Sequence, residues 1–255
     1  MHVGQVVSIV TGGASGLGEA CVRSIIEAGG KVSIIDFDSK RGEKISEEIG
    51  INVCFFKADI TDEIQVTSAV HGTIETFGNI NTVINCAGIV NPAKVIGKNG
   101  PIPLEDFVRV VNVNLVGTMN VLRVAVEKIM LNTPTDDGER GVVINTASVA
   151  AFEGQVGQAA YSASKAGVVG MTLPLAREFA DYGIRVNTIA PGLFMTPMMA
   201  SLPEKAKASL AEMMLFPKRL GNPVEFAMLV QQIIENPMLN GETIRLDGGL
   251  RMKKQ

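Results

Sequence analysis

Two residues in the second half of the chain, Tyr161 and Lys165, have the types and spacing to move a proton, and Ser148 precedes them after the fifth apolar run. Tyr161 and Lys165 stand four residues apart in a stretch with helical spacing, so both side chains share one face and the ammonium can lie beside the phenol. That neighbour matters because a free phenol titrates near about 10, whereas a proton acceptor working at neutrality should titrate near about 7. Closing ~3 pKa units takes ~4 kcal/mol of preferential phenolate stabilisation, and a close, partly desolvated lysine can supply a large part of it. The alternative for an isolated Tyr-x-x-x-Lys is an ordinary half-buried tyrosine beside a solvated lysine.

Near the start of the chain, Thr11-Gly12-Gly13-Ala14-Ser15-Gly16-Leu17-Gly18 joins an apolar run to a helical pattern. Gly12, Gly16 and Gly18 allow a tight turn and close backbone approach to a pyrophosphate, which the free N–H groups of a helix start attract. A ligand-free strand-to-helix turn would look similar. Asp36 separates the two readings, since it stands 18 residues beyond Gly18 at the end of the next apolar run, where a carboxylate can accept from both ribose hydroxyls. It also opposes NADP: no Arg or Lys at Ala14, Ser15 or Phe37 offsets the repulsion of a 2′-phosphate. Two like charges about 4 Å apart at an effective dielectric near 20 cost ~4 kcal/mol, so the expected cofactor is NAD. Asp59 and Asn85-Cys86-Ala87-Gly88 follow the third and fourth apolar runs, at strand ends where a doubly wound sheet binds its ligand; each alone is also a common turn or cap.

Such a site needs strand ends gathered in one place, and the hydrophobic pattern supplies them. Strands are expected over 6–10, 31–36, 52–57, 80–85, 142–146, 184–189 and 242–246, with helices over 17–28, 39–49, 62–77, 104–131, 158–180 and 223–234. This alternation predicts one α/β domain over residues 1–255, a doubly wound parallel sheet with helices on both faces. Segments 91–103 and 132–141 read as inserted surface loops. The irregular stretch 191–217 carries Met195, Met198, Met199, Met213 and Met214, and reads either as an adaptable lid over an apolar substrate or as a packed helical pair. Gln155 and Gln158 flank the start of the helix that carries Tyr161 and Lys165, as partners for polar substrate atoms or as surface glutamines. The helix over 104–131 is apolar on more sides than one sheet face covers, through Val108, Val111, Leu115, Met119, Leu122, Val126 and Met130, which suggests a subunit interface.

Composition bounds the partners. Of the 255 residues 23 are basic and 26 acidic, a net charge of −3, which argues against a nucleic-acid footprint or attraction to anionic membrane. Hydrophobic residues at 46%, charged residues at 19% and 27 scattered glycines exclude disorder, collagen and coiled coil. Cys21, Cys54 and Cys86 are odd in number and without Cys-x-x-Cys spacing, and His2 and His71 lie far apart, so neither a disulfide framework nor a metal site is expected. No signal-peptide core precedes the first apolar run and no apolar run reaches 18 residues; the expectation is a cytoplasmic protein without a membrane span.

Taken together, Thr-Gly-x-x-x-Gly-x-Gly at 11–18, Asn-Cys-Ala-Gly at 85–88, Asn114, Ser148, Tyr-x-x-x-Lys at 161–165 and Pro-Gly-x-x-x-Thr at 191–196 resemble the short-chain dehydrogenase/reductase family over essentially the whole chain. The resemblance implies a seven-stranded Rossmann sheet of order 3-2-1-4-5-6-7. It makes Tyr161 the acid/base, Ser148 the holder of the reacting oxygen, Lys165 the residue that binds the nicotinamide ribose and lowers the tyrosine pKa, and Asn114 the residue that places a water between Lys165 and solvent. Cofactor contacts then fall on Gly12, Ser15, Gly16, Leu17, Gly18, Asp36, Asp59, Ile60, Asn85, Ala87, Gly88, Tyr161, Lys165, Pro191, Gly192 and Thr196. Substrate contacts fall on Ser148, Gln155, Gln158 and Tyr161. Cys86 departs from the family's usual Asn, with little effect expected.

The runs at 144–165, 190–194, 201–205 and 240–252 are similar more narrowly to the type-2 3-hydroxyacyl-CoA dehydrogenase subfamily. That similarity implies NAD-dependent oxidation of (S)-3-hydroxyacyl-CoA with tolerance for hydroxysteroids and other secondary alcohols, a homotetramer, and the mitochondrial matrix as an alternative compartment. The loop 91–103 sits where the subfamily carries an extra segment but diverges in sequence, and its Lys94 and Lys98 either meet the anionic CoA or are solvated. Two rivals stand beside this reading. A 3-oxoacyl carrier-protein reductase usually uses NADP, which Asp36 opposes; a non-catalytic NAD-binding scaffold subunit is opposed by the intact Ser148, Tyr161 and Lys165. The hydroxyacyl-CoA dehydrogenases built on a catalytic histidine are excluded, because no histidine follows His71.

Overall fold

Runs rich in β-branched residues form strands, the inner ones buried on both faces. In the computed structural model, which describes residues 1–98, 100–200 and 203–252, these strands are β1 (Val7–Thr11), β2 (Lys31–Asp36), β3 (Val53–Lys57), β4 (Thr82–Asn85), β5 (Gly141–Thr146), β6 (Ile184–Pro191) and β7 (Thr243–Leu246). They form one sheet of order β3-β2-β1-β4-β5-β6-β7, with every pair parallel. This is the doubly wound seven-stranded order that the family resemblance implies.

Successive strand residues point to opposite faces, and the core divides accordingly. Ile9, Ile35, Val83, Val143 and Val186 face a layer built on Val66, Leu122, Ile129 and Leu175. Val10, Ile34, Ile84, Ile144 and Ile189 face Val22, Ile25, Phe226 and Ile233. The first layer is supplied by α3 (Glu63–Phe77), α5 (Thr118–Ile129) and α6 (Ala159–Phe179), the second by α1 (Gly16–Glu27), α2 (Ser39–Ile49) and α9 (Pro223–Glu235). Helix starts follow their caps. Asp62 accepts from the N–H groups of Ile64 and Gln65 at 2.9 and 3.0 Å, so α3 begins one residue later than its apolar pattern suggests. Asn222 and Glu225 form a capping box that starts α9. At the far end of α9 the buried Arg185 of β6 donates to the carbonyls of Ile233, Ile234 and Leu239 and to Glu139, a cation placed where a helix leaves its last carbonyls unpaired.

The expected single helix over 104–131 is instead three pieces: α4 (Leu104–Val111), a π-helical turn (Asn112–Gly117) and α5. The wider turn brings Asn114 to complete burial, and Gly117 sits where a Cβ would lie 2.7 Å from the Ile60 side chain. Segment 91–103 holds a two-residue antiparallel ladder between Ile96–Gly97 and Gly100–Pro101, with Asn99 outside the described residues. Segment 191–217 folds into α7 (Pro197–Ala200) and α8 (Glu204–Glu212). Ser201 and Leu202, and the side chain of Met198, lie outside the described residues. Among the described residues no helix is long and apolar enough to cross a membrane.

Phe226 couples the core to the site. It is fully buried, and its ring meets that of Phe194, just beyond β6, edge-on with centroids 6.4 Å apart. Phe226→Ala is expected to lower the unfolding free energy in urea by about 3–5 kcal/mol; a loss below about 1 kcal/mol would show that this contact does not anchor α9.

Candidate active site

The carboxyl ends of β1, β4, β5 and β6 open into a cavity of about 670 Å³. At one end lies the glycine turn. Gly12 and Gly16 have φ of 64° and 58°, a region open to glycine at little cost. A Cβ on Gly18 would lie 2.2 Å from the Gly12 carbonyl oxygen, so α1 can pack this close only through a glycine. The Ser15 side chain, at the cap of α1, makes no capping hydrogen bond among the described residues, which leaves the first N–H groups of the helix for an anion.

Asp36 forms the next wall. Its Oδ2 accepts from Ala14 N and its Oδ1 from Asp38 N, each at 3.0 Å, so the carboxylate is fixed by backbone. Arg41, which the sequence reading did not single out, lines the same cavity because α2 starts at Asp38, whose Oδ1 caps Arg41 N at 3.1 Å. Its guanidinium stands 3.5 Å from Asp38 Oδ2. A basic residue three positions after an Asp helix cap was the available signal. Asp59 holds Thr61 through both N–H and hydroxyl, at 2.9 and 2.8 Å, and with Ile60 lines the wall beyond Asp36.

Asn85 does not line the cavity. It is buried beneath it, donating to Asn145 Oδ1 at 2.9 Å and accepting from Thr11 Oγ1 at 3.3 Å; Thr11 Oγ1 in turn accepts from Ala87 N at 3.3 Å. The polar ladder holds the turn whose Ala87 and Gly88 do face the cavity.

At the other end, β5 delivers Thr146 and then Ser148, and α6 delivers Tyr161 and Lys165 one turn apart. Ser148 Oγ accepts from Ala150 N at 3.1 Å and is hydrogen-bonded to the Tyr161 hydroxyl. Lys165 is only 4% exposed; its ammonium donates to the Thr146 carbonyl at 2.7 Å and lies 5.9 Å from the centre of the Tyr161 ring. Asn114 joins two neighbours: Oδ1 accepts from Ile89 N at 2.8 Å, while Nδ2 donates to Ile89 O at 2.9 Å and to Ser164 Oγ at 3.0 Å. A Cβ on Gly88 would lie 3.1 Å from Asn114 Oδ1 and 3.5 Å from Lys165 Nζ, so the two side chains converge on that glycine.

The electrostatics differ from the expected lysine-lowered phenol. Burial pushes the Tyr161 phenol up, with the Ser148 hydrogen bond opposing, and burial brings Lys165 down to about 8. The cause is lost hydration: no carboxylate pairs with Lys165 among the described residues, and its hydrogen bond goes to a neutral carbonyl.

Pro191, Gly192 and Thr196 line the cavity, as do Leu193, Phe194 and Met199 beside them. Met214 instead packs with Val149 and Leu250, so the methionines of 191–217 divide between the cavity wall at Met199 and the packed interior at Met214. Gln155 and Gln158 are not among the lining residues; Gln158 Oε1 accepts from Gln155 N at 3.0 Å. The glycine cradle, the uncapped helix start and the fixed carboxylate fit a dinucleotide along the cavity, with the pyrophosphate at 12–18, a ribose at Asp36 and the reactive ring beside Ser148 and Tyr161.

Residues 6–207 match the family model described as short chain dehydrogenase. The chain is 52% identical over 248 residues to a protein of Drosophila melanogaster named 3-hydroxyacyl-CoA dehydrogenase type-2, covering 96% of this chain and 97% of that one. It is 52% identical over 249 residues to a Homo sapiens protein of the same name, covering 97% and 95%. A crystal structure of 3-hydroxyacyl-CoA dehydrogenase type-2 from Mycobacterium avium superposes with a TM-score of 0.94 at 39% identity, over 98% of this chain and 97% of that one.

The buried lysine has a measurable signature. Its folded pKa of about 8 lies below its ordinary 10.5, so between those values the unfolded chain holds a proton that the folded chain has released, and stability rises with pH. Unfolding free energies of the parent and of Lys165→Met should therefore diverge by about 3 kcal/mol in the parent's favour from pH 7.5 to 10.5. A difference that does not change with pH would contradict the burial of a charged lysine.

Proposed function

Because the chain belongs to the short-chain dehydrogenase family, we propose that it oxidises (S)-3-hydroxyacyl-CoA to 3-oxoacyl-CoA with NAD. The observation that carries this reading is the Ser148, Tyr161 and Lys165 group at one end of a dinucleotide-sized cavity, in a chain similar over nearly its full length to enzymes of that name. The family works with a nicotinamide cofactor, which supplies the hydride acceptor when bound. Ser148 holds the substrate hydroxyl, and the Tyr161 phenolate takes its proton as the carbinol hydrogen leaves as hydride. The Lys165 ammonium meets the nicotinamide ribose, while Asn114 orders the water that links Lys165 to solvent, and the Ser148 hydrogen bond is the contact that eases ionisation of the buried phenol. Gly12, Ser15, Gly16, Leu17 and Gly18 hold the pyrophosphate, and Asp36 accepts from the adenosine ribose. Asp59 and Ile60, the 85–88 turn, and Pro191, Gly192 and Thr196 enclose the rest. Substrate polar atoms meet Gln155 and Gln158 once the Gln158 side chain turns away from the Gln155 backbone.

The whole chain acts as a single catalytic domain, which we read as one subunit of a homotetramer. Support comes from Val108, Val116 and Met119, exposed at 47%, 49% and 37%, along α4, the π turn and α5. Three free cysteines support a reducing compartment, cytoplasm or mitochondrial matrix. The carrier-protein reductase reading is opposed by Asp36, and a purely scaffolding role by the assembled proton-transfer group.

Cofactor choice tests the wall at Asp36. NAD should bind at least about tenfold more tightly than NADP, a fraction of the ~4 kcal/mol of bare repulsion. Asp36→Ala should weaken NAD and admit NADP, whose 2′-phosphate then meets Arg41. Equal affinities in the parent would contradict the assignment. Substrate class is tested with a chain-length series of 3-hydroxyacyl-CoA esters beside a hydroxysteroid. Each methylene covered by the apolar wall contributes roughly 0.8 kcal/mol, so kcat/KM should rise several-fold per carbon and then level off. Turnover of the steroid with none of any CoA ester would overturn the substrate and leave the catalytic residues standing.

A further inference from the structure

Two thiols that the hydride-transfer chemistry does not use meet at the edge of this cavity. Cys86, in the turn after β4, is half-buried and lines the cavity beside Ala87 and Thr146. Cys21, on α1, is completely buried. Both belong to the apolar layer that packs α1 on the sheet, and their side chains share a hydrogen bond. Thr146 Oγ1 also donates to Cys86 Sγ at 3.5 Å. The surroundings split the pair: burial holds the Cys21 thiol well above its ordinary range, whereas hydrogen bonds from Cys21 and Thr146, with the charge of Lys165, lower that of Cys86. Cys86 is thus the thiol of the two that gives up its proton more readily, and the one of the two that lines the cavity. Cys21 is the thiol already in contact with it.

We propose that Cys86 is a peroxide-sensitive thiol in the wall of the cofactor cavity and that Cys21 resolves its oxidised form as a reversible disulfide. In the first step the Cys86 thiolate attacks a peroxide oxygen; the S–O bond forms, the O–O bond breaks, and two electrons pass from sulfur to the peroxide, which leaves as hydroxide or alkoxide. In the second step the Cys21 sulfur attacks the Cys86 sulfenic acid; the S–S bond forms, the S–O bond breaks, and water leaves with the Cys21 proton. A dithiol reductant reverses the pair of steps. The disulfide ties α1 to the 85–88 turn, two elements whose loops line the same cavity, and a cofactor lying there covers the approach to Cys86. Oxidation of the pair is then a property of the empty enzyme. Cys54, on β3, serves as internal control, since its side chain hydrogen-bonds to Ser33 and Thr76 and burial raises its pKa.

The test treats the full chain with hydrogen peroxide and follows it by intact mass, thiol alkylation and proteolytic fragments. The parent should lose two hydrogens, keep Cys54 alkylatable, yield a fragment joining Cys21 to Cys86, and recover all three thiols with dithiothreitol. Cys21→Ser should stop at a Cys86 sulfenic acid that dimedone traps, and the joined fragment of the parent stands without that variant if it folds poorly. Three free thiols after a treatment that oxidises glutathione, or first oxidation at Cys54, would overturn the proposal. With NADH at about ten times its Kd, oxidation should slow about tenfold, in a sample whose NADH fluorescence shows the cofactor bound. An unchanged rate with NADH bound would overturn the cavity route. Failure of NADH to bind would count against the cofactor reading and leave the thiol result to stand on its own.

Discussion

The ammonium of Lys165, out of water and held by the carbonyl of Thr146, is the interaction around which the site is arranged. A buried cation costs several kcal/mol unless hydrogen bonds replace its water, and here the replacement is a backbone oxygen at 2.7 Å. A backbone acceptor can be aimed only by the strand that carries it, so β5 must end where α6 begins its second turn. The same strand end then delivers Ser148, and the preceding turn of the same helix delivers Tyr161, which is why hydroxyl, phenol and ammonium arrive together. The π turn serves the arrangement from the other side: its extra residue turns Asn114 inward, where the carboxamide ties Ile89 to Ser164.

Beneath the cavity a polar row crosses the sheet. Thr11, Asn85, Asn145 and Thr188 are register partners on β1, β4, β5 and β6, and Thr188 is hydrogen-bonded in turn to Thr172 of α6 at 2.6 Å. Because their strands are parallel, the row is level, and it marks the boundary between the packed interior and the strand ends that line the cavity. Its side chains hold neighbouring strands and turns at a fixed height, so the glycine turn at one end and Ser148 at the other share one reference plane. Among the described residues Asn145 Nδ2 finds no partner, a cost accepted within a row whose other groups are paired.

Much of this was legible in the residues, for physical reasons that also explain what was not. The parallel sheet with helices on both faces followed from alternating apolar runs and the strand order from the family resemblance that the motifs carry, and Asp36, Ser148, Tyr161 and Lys165 are readable because residue type and spacing single them out. The break between α4 and α5 was hidden, since Asn112–Gly117 keeps the apolar spacing of a continuous helix and the π turn arises only when Asn114 finds buried partners. Thr146 was passed over because it contributes a backbone oxygen, which residue type does not reveal. Arg41 was missed because it reaches the cavity from the next helix, through the Asp38 cap. The pKa of Tyr161 was misjudged by weighing the neighbouring charge and leaving out lost hydration, which the fold alone determines.

The central claim is that the Tyr161 phenol, seated between Ser148 and Lys165, is the group that takes the substrate proton. The most direct measurement is a rapid-mixing single turnover on Tyr161→Phe, which removes one oxygen and keeps the ring, with NADH binding followed by fluorescence in parallel. The account predicts cofactor binding within about twofold of the parent and a turnover rate lower by at least about a hundredfold, the range of a positioned acid/base. A variant that binds cofactor normally and keeps most of its turnover would contradict it.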